Sequence, residues 1–258
     1  MIAITVDCEQ WNMPALRGKD VTENNNTEFS KKGNEILLKI LKAFNIKATF
    51  FITGFFAKRE KKQVKYIASE GHEIASHGYL HNYRINPNID LKKDILKSKE
   101  ILEEITGLKI VGFRAPQLQF SFKLLKVLAE LGFNYDSSLH PAWLPGFYNN
   151  IKYPLSPYKP FNLGIKEIPI GVVPHLRLPI GWLWLRNIGH WWTSIGIKLL
   201  LKKNIPAVIY VHSWEFTKIK SKYVPFYLIR NTGEKFCLEF IKLLERFKHY
   251  DFITLSEI

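Results

Sequence analysis

The sequence predicts an α/β protein whose parallel strands close into a (β/α) barrel, and two observations lead to this class. Short apolar runs alternate with longer amphipathic runs, which is typical of successive strand–helix units. Asp7, His77, Arg114, Asp136 and His212 each follow an apolar run. Barrel enzymes place reactive residues where their strands end, whereas an open sheet gathers them at one switch point. No Pro/Gly/Ser linker divides the 258 residues, so we expect a single domain, 1–258.

The individual elements follow from the period of the apolar residues. The predicted strands are 2–6, 48–52, 73–75, 110–113, 133–135, 165–169, 207–211 and 252–254. The predicted helices have one apolar face and comprise 34–43, 91–105, 122–131 and 236–247. Gly107 and Gly132 stand at the expected ends of two of them. The polar, Asn-rich stretch 12–30 is predicted to be a loop that covers the site.

The chain is strongly basic, with 37 Lys+Arg against 23 Asp+Glu and a formal net charge of +14. Our first interpretation is that lysines solvate the exposed helix faces, and the second is attraction to an anionic membrane surface. No run alternates basic residues with exposed aromatic residues, so we expect no nucleic-acid partner. A GxGxxG or P-loop motif is absent, and nucleotide binding therefore has no motif support.

The stretch 178–201 is apolar and rich in tryptophan. Arg186, His190 and several glycines interrupt it, which excludes a transmembrane helix. We expect a core helix first and an interfacial membrane helix second. The two cysteines form no CxxC motif, and the first residues resemble a strand rather than a signal peptide. We therefore expect a cytoplasmic protein, with peripheral membrane contact as the alternative.

Two short motifs predict a divalent metal site. His77 and His81 are four residues apart, and on a helical turn they would share one face. Asp7 and Glu9 flank Cys8 on the first strand, so both carboxylates point one way and the thiol points the other. Two imidazoles and one carboxylate are a common ligand set for a catalytic metal, and the second carboxylate stays free to act as a base.

Two further loci carry polar groups at strand ends. Arg114 precedes Ala115 and Pro116, a proline that stiffens the turn. An arginine beside a carboxylate orients it and lowers its pKa. His212 ends the strand 207–211 and is followed by Trp214. The imidazole can donate a proton near neutral pH, and the indole offers an apolar wall for a sugar face.

In this order, the motifs resemble those of the polysaccharide deacetylases, the NodB-homology group that includes carbohydrate esterase family 4. Thr5-Val-Asp7-Cys8-Glu9 is similar to the opening TFDD motif, and His77-Gly-Tyr-Leu-His81 is similar to HS/TxxH. Arg114-Ala-Pro116 resembles the RxP motif, and Val211-His212 resembles the late histidine motif. The set spans nearly the whole chain.

The resemblance implies a distorted (β/α) barrel, often with seven strands, and a divalent metal, with zinc as the first choice. It implies Glu9, His77 and His81 as ligands, Asp7 as general base and His212 as general acid. Arg114 would steady Asp7, and Asp136 would orient His212. We also expect Trp11, Pro116 and Trp214 to contact the substrate.

Three positions depart from the family pattern. Cys8 stands where most members place a metal-binding aspartate, Gly78 replaces a Ser or Thr, and no Asp-Trp pair follows Asp136. The first motif is similar to a DxE variant in a branch linked to exopolysaccharide and surface-glycan assembly.

The expected function is removal of N-acetyl or O-acetyl groups from a carbohydrate. The alternatives are a non-catalytic glycan-binding or assembly protein on a degenerate barrel and a related C–N hydrolase or deformylase. The substrate stays open among polymeric, nucleotide-linked and lipid-linked sugars, and the Trp-rich stretch together with the positive charge favours the lipid-linked class.

Overall fold

The computed structural model describes residues 1–21 and 24–258, and a parallel sheet organises them. The strands are β1 (Ile2–Cys8), β2 (Thr49–Ile52), β3 (Glu73–Ser76), β4 (Gly112–Phe113), β5 (Tyr135–Asp136), β6 (Trp143–Leu144), β7 (Tyr148–Asn149), β8 (Lys166–Glu167), β9 (Val172–Val173), β10 (Leu178–Pro179) and β11 (Ala207–His212). Seven of them form one sheet in the order β11-β1-β2-β3-β4-β5-β8, and every pairing in it is parallel. β6–β7 and β9–β10 are small antiparallel pairs.

Helices cover the outer side of this sheet. They are α1 (Glu28–Ala43), α2 (Gly54–Arg59), α3 (Lys61–Ser69), α4 (Leu91–Thr106), α5 (Phe122–Glu130), α6 (Trp182–Asn187), α7 (His190–Lys202), α8 (Phe226–Ile229) and α9 (Glu234–Phe247). Side-chain caps explain where several begin: Asp90 accepts a hydrogen bond from Lys93 N, and Ser121 accepts one from Leu124 N. α4 ends at Gly107, whose φ of 70° suits a residue without Cβ.

The sheet curls into a half-barrel, which confirms the predicted fold class. Its edge strands are β8 and β11, and the backbone just after β8 reaches β11 through a hydrogen bond of 2.8 Å from Gly171 N to Val208 O. A Cβ at position 171 would lie only 2.8 Å from that carbonyl oxygen, so the close approach requires glycine.

Strand alternation divides the apolar residues between two sides. Ile2, Ile4 and Val6 of β1 pack into the main core beneath the helices, whereas Ala3 packs with Phe51 inside the curl. Thr5 and Asp7 share the parity of Ala3 and therefore face inward. This alternation carries Asp7 to the carboxyl end of the sheet on its inner side, where the site lies.

The strand and helix predictions are largely confirmed. Seven of the eight predicted strands correspond to strands of the sheet, and all four predicted helices are present. The eighth strand, 252–254, is wrong, because only Phe252 pairs there, as a single bridge to Ile2. α1 begins at Glu28, inside the predicted loop 12–30, and two residues of that loop, 22 and 23, lie outside the described residues.

The Trp-rich stretch forms α6 and α7. α7 buries Ile197 and Leu200 against the core and exposes Trp191 and Ile195. Trp192 is partly buried and donates a hydrogen bond to Pro179 O. In the described part of the chain, no helix is both long enough and apolar enough to cross a bilayer.

Candidate metal centre

Glu9, His77 and His81 converge at the carboxyl end of the sheet. Their potential ligand atoms all lie within 4.8 Å of one another. Glu9 Oε2 lies 2.8 Å from His81 Nε2 and 3.4 Å from His77 Nε2. Among the described residues, this is the only group of three or more His, Cys, Asp or Glu side chains close enough to hold one ion. The predicted ligands are therefore brought together by strands that are far apart in sequence.

The chemistry of these three groups fits a bound divalent cation. Glu9 Oε2 and His77 Nε2 are both buried and have no hydrogen-bond partner, a costly state unless another group occupies the space between them. Burial opposes ionisation of Glu9, but the facing imidazoles His81 and His77 hold its pKa well below its usual range. One carboxylate and two imidazoles are the donors that zinc and its neighbours prefer.

Neighbouring groups orient each of these side chains. His77 Nδ1 lies 2.8 Å from Arg114 O, and a proton donated there leaves Nε2 available to bind a cation. His81 Nδ1 lies 3.2 Å from Asn12 Oδ1, which acts in the same way. Trp214 Nε1 donates to Glu9 Oε1 at 3.2 Å, so that Oε2 is the oxygen turned toward the histidines.

The segment that carries the two histidines is a loop, so the predicted helical turn is wrong. It follows β3 and turns at Gly78, whose φ is 69°. A Cβ there would lie 2.6 Å from the Tyr83 hydroxyl and 2.9 Å from an Asp94 oxygen. Asp94 Oδ2 accepts hydrogen bonds from Tyr79 N and the Tyr83 hydroxyl. This carboxylate therefore organises the loop around Gly78.

Asp7 lies beside the three ligands, and Arg114 holds it. Asp7 Oδ2 is 4.0 Å from His77 Nε2, while Oδ1 accepts a hydrogen bond of 2.7 Å from Arg114 Nη1. The Arg114 guanidinium is fully buried and also donates to Thr5 Oγ1 and to Ser137 O and Oγ. One carboxylate oxygen is thus fixed, and the other faces the space beside the ligands.

Cys8 takes no part in this arrangement, as strand alternation predicts. Its thiol lies in the main core and accepts a contact of 3.2 Å from Asn34 Nδ2. Burial raises the pKa of Cys8 to about 12, so the sulfur stays a neutral thiol and a poor ligand.

His212 ends β11 directly beside Asp7, its register partner on β1. Its ring stacks on Trp214, with 4.8 Å between centroids, and meets Trp182 edge-on at 5.0 Å. Burial lowers the basicity of the ring, but the carboxylate of Glu215 and the charge of Glu9 outweigh it and raise the pKa of His212. The ring is therefore suited to carry a proton near neutral pH.

The carboxylate that faces His212 is Glu215, and the prediction that Asp136 orients this histidine is wrong. Glu215 Oε2 lies 3.4 Å from His212 Nδ1 and accepts a hydrogen bond from His212 N at 2.8 Å. Arg186 binds the other Glu215 oxygen and donates to Leu228 O at 2.6 Å. A buried chain of polar contacts therefore runs from the Leu228 carbonyl of α8 through Arg186 and Glu215 to His212.

Three residues predicted to contact the substrate are buried in this structure. Trp11 is 0% exposed and Trp214 is 1% exposed, and their rings pack edge-to-face at 5.2 Å. Neither indole has an exposed face in this structure, and their role as substrate contacts stays a prediction. Pro116 is also buried and begins the turn Pro116–Leu118, whose Gln117 donates to His81 O. These residues support the candidate ligands, since Trp214 donates to Glu9 and the turn at Pro116 contacts His81.

Asp136 instead forms a buried acid pair with Glu167. The two are register partners on β5 and β8, and Asp136 Oδ1 accepts a hydrogen bond from the Ser138 hydroxyl. Burial raises the pKa of Asp136 to about 6, and burial together with the charge of Asp136 raises that of Glu167 well above its usual range. A carboxyl pair in such a site shares a proton.

This acid pair predicts a measurable pH dependence of stability. Both folded-state pKa values lie above the ordinary values of 3.8 and 4.5, so the pair stabilises the fold fully below about pH 4. The contribution of Asp136 is lost as the pH rises through about 6, and that of Glu167 is lost at higher pH. For one retained proton, the free energy of unfolding falls by about 1.4 kcal/mol per pH unit in this window.

Glu167→Gln tests this prediction, because the amide keeps the shape and the hydrogen bond from Leu139 N but binds no proton. Urea unfolding in EDTA at several pH values between 4 and 7 should show a smaller fall for the variant than for the wild type. Identical pH profiles for both proteins would contradict the shared proton.

Four residues of the site were missed by sequence reasoning, namely Asn12, Asp94, Arg186 and Glu215. Glu215 follows His212 by three residues, a spacing that predicts contact within one turn, so its signal was present in the sequence. The other three contact partners that are distant in the chain, namely His81 for Asn12, Tyr79 for Asp94 and Glu215 for Arg186, and no local pattern marks these contacts.

Comparisons with known proteins show which families the sequence matches. The sequence model of the family described as "Polysaccharide deacetylase" matches residues 26–135. A second model, "Domain of unknown function (DUF3473)", matches residues 137–257. His77, His81 and Arg114 lie in the first match and His212 and Glu215 in the second, and β1, which pairs with both β2 and β11, brings the two sets together.

Among curated proteins, the chain is 36% identical over 104 residues to a peptidoglycan deacetylase of Helicobacter pylori, a match covering 40% of this chain and 36% of that protein. The chain therefore spans little more than a third of the length of this relative. A solved Mycobacterium smegmatis structure described as a polysaccharide deacetylase aligns with a TM-score of 0.68 at 22% identity, over 99% of this chain and 87% of the other. An allantoinase aligns with a TM-score of 0.71 at 16% identity, with the same coverage. These two likenesses show the barrel fold alone.

Proposed function

We propose that this chain is a metal-dependent hydrolase that removes N-acetyl or O-acetyl groups from a carbohydrate, because residues 26–135 match the sequence model of the polysaccharide deacetylases. The observation that carries the proposal is the convergence of Glu9, His77 and His81 within 4.8 Å, beside an aspartate that is not one of the three. The ion proposed is zinc, held by these three side chains, because the donor set is common in catalytic zinc sites. When bound, zinc would polarise the acetyl carbonyl and acidify a water molecule.

The remaining chemistry falls to the chain's own residues. Arg114 holds Asp7 Oδ1, so Asp7 Oδ2 is the atom that takes a proton from the attacking water as the water oxygen bonds to the acetyl carbon. His212, held protonated by Glu215, then donates its proton to the sugar nitrogen as the C–N bond breaks. The products are acetate and an amino sugar. With an O-acetyl group, the same proton goes to the sugar oxygen.

The proposal is tested by measuring zinc content and acetate release together. We expect one zinc ion per chain after reconstitution, and zinc-dependent acetate release from N-acetylglucosamine oligosaccharides. His77→Ala should lose both, since it removes a ligand with no substitute among the described residues. His249→Ala is the matched control, because this histidine is exposed and should behave as the wild type.

Two outcomes would redirect the assignment. A metal-free wild-type protein that binds oligosaccharide would support the glycan-binding alternative and contradict hydrolysis. Zinc binding without acetate release, but with hydrolysis of formamides or other C–N substrates, would favour the related C–N hydrolase.

A further inference from the structure

A basic, aromatic segment lies outside the site described above. Residues 217–233, here called the basic–aromatic segment, contain four cationic residues and no Asp or Glu. All four are exposed, and no described carboxylate forms an ion pair with any of them: Lys218, Lys220, Lys222 and Arg230. They line an open groove of about 740 Å³. This surface therefore attracts anions.

Large apolar side chains project from the same surface. Phe226 is 73% exposed, more than any other large hydrophobic residue described, and Tyr227 is 57% exposed. The Arg230 guanidinium lies 6.0 Å from the Phe226 ring centre, and the Lys222 ammonium lies 5.2 Å from that of Tyr223. Exposed aromatic rings flanked by cations are typical of surfaces that enter the headgroup region of a bilayer.

The segment is anchored, so this exposure does not result from a lack of contacts. Leu228 and Ile229 of α8 are buried in one apolar cluster with Trp11 and Trp214. Arg186 donates to Leu228 O, and Asn187 Nδ2 donates to Tyr227 O at 3.1 Å. One side of α8 is thus fixed against the protein, and the other side presents two aromatic rings to solvent. An exposed apolar patch with such support marks an interaction surface.

We propose that the basic–aromatic segment docks the chain onto an anionic lipid bilayer. Phe226 and Tyr227 enter the headgroup region, and the four cations contact lipid phosphates. The complementary charge selects this occupant, because an anionic bilayer offers both a dense array of phosphates and an apolar interior. The surface differs from the Trp-rich stretch 178–201, whose tryptophans are in part packed against the protein.

Docking in this orientation has a consequence for the metal centre. Trp214 belongs to the cluster beneath α8, and its Nε1 donates to Glu9. The docked surface and the candidate ligands therefore share one supporting layer, an arrangement that, on the proposed function, suits a sugar carried on a lipid.

Vesicle co-sedimentation tests the docking without any catalytic step, so its result is separate from that of the hydrolase proposal. We expect vesicles of phosphatidylcholine with phosphatidylglycerol to retain the protein at low salt, and phosphatidylcholine alone to retain little. High salt should release the protein, since exposed charges are screened. Lys220→Gln/Lys222→Gln should weaken retention by about fivefold for each charge removed. Phe226→Ser/Tyr227→Ser should weaken it by about tenfold or more.

Matched controls separate this surface from general basicity. Lys62→Gln/Lys65→Gln removes two exposed charges on α3, and Trp143→Ser/Phe147→Ser removes two exposed aromatic rings at the β6–β7 hairpin. Both controls should bind as the wild type does, and circular dichroism should show all variants folded. No retention of the wild type, or equal losses in controls and test variants, would overturn the proposal. So would a solution dimer that Phe226→Ser/Tyr227→Ser dissociates without any lipid binding, because the occupant would then be a second copy.

Discussion

Asp7→Asn is expected to lower the rate of acetate release by about 10²–10⁴-fold, the usual contribution of a general base. The amide keeps the shape of the side chain and can still accept the hydrogen bond from Arg114 Nη1. It cannot take a proton at the atom that faces the ligands. The loss should therefore appear in kcat, with KM and zinc content close to those of the wild type. Steady-state kinetics on an N-acetylated oligosaccharide, with zinc measured on the same samples, checks this.

Asp251→Asn is the matched control, because Asp251 is exposed and distant from the ligands in the described structure. A fully active Asp7→Asn protein with normal zinc content would show that Asp7 is not the base. An inactive protein that has also lost zinc would show instead that Asp7 belongs to the ligand set.

Arg114→Met is expected to destabilise the fold by about 3–5 kcal/mol, because it leaves a buried carboxylate without its cation. Asp7 is only 3% exposed, and Arg114 makes hydrogen bonds to Thr5, Asp7 and Ser137 while its guanidinium lies 4.1 Å from the Phe51 ring centre. Methionine preserves apolar volume and supplies none of these donors. Urea unfolding of the zinc-free proteins measures the difference in the free energy of unfolding.

Two companion variants identify the cause of that loss. Arg114→Met/Asp7→Asn should recover a good part of the stability, because it removes the stranded charge. Arg59→Met, at an exposed arginine that lies over the Phe55 ring, should change stability by less than about 0.5 kcal/mol. If Arg114→Met loses less than about 1 kcal/mol, the pair does not hold Asp7 as described.

Much of the sheet could be predicted because its strands are short apolar runs with polar ends. The first strand shows why: Asp7 and Glu9 share one direction and Cys8 the other, and the structure places the thiol in the core and both carboxylates at the site. The period of a strand is a local property, so it is visible in the sequence. The same holds for α4, whose Asp90 cap and Gly107 end are local signals.

The conformation around the paired histidines could not be predicted in this way. Their spacing indicated a shared ligand role, but the loop shape depends on Gly78 and on Asp94, which approaches from α4. Contacts between distant elements leave no periodic trace in a sequence. The resemblance likewise pointed to Asp136 for a role that the structure gives to Glu215.

The roles of the aromatic residues could not be predicted from the sequence for a different reason. Trp11 and Trp214 have the chemistry of a sugar platform and of a core filler alike, and only tertiary packing decides between the two. Here the indoles are buried, and the rings with large exposed faces lie at Phe226 and Tyr227 instead.

The pairing of β1 with β11 has a consequence for how the protein is made. Glu9 and Trp214, which meet across this pairing, are separated by 205 positions in the chain. A contact between residues so far apart in the chain forms slowly. During translation it cannot form until β11 has left the ribosome. Until then β1 has an unpaired edge, and its two carboxylates have neither the His212 partner nor the tryptophan that orients Glu9. On the proposed function, we therefore expect activity and full metal affinity only after β11 has paired with β1.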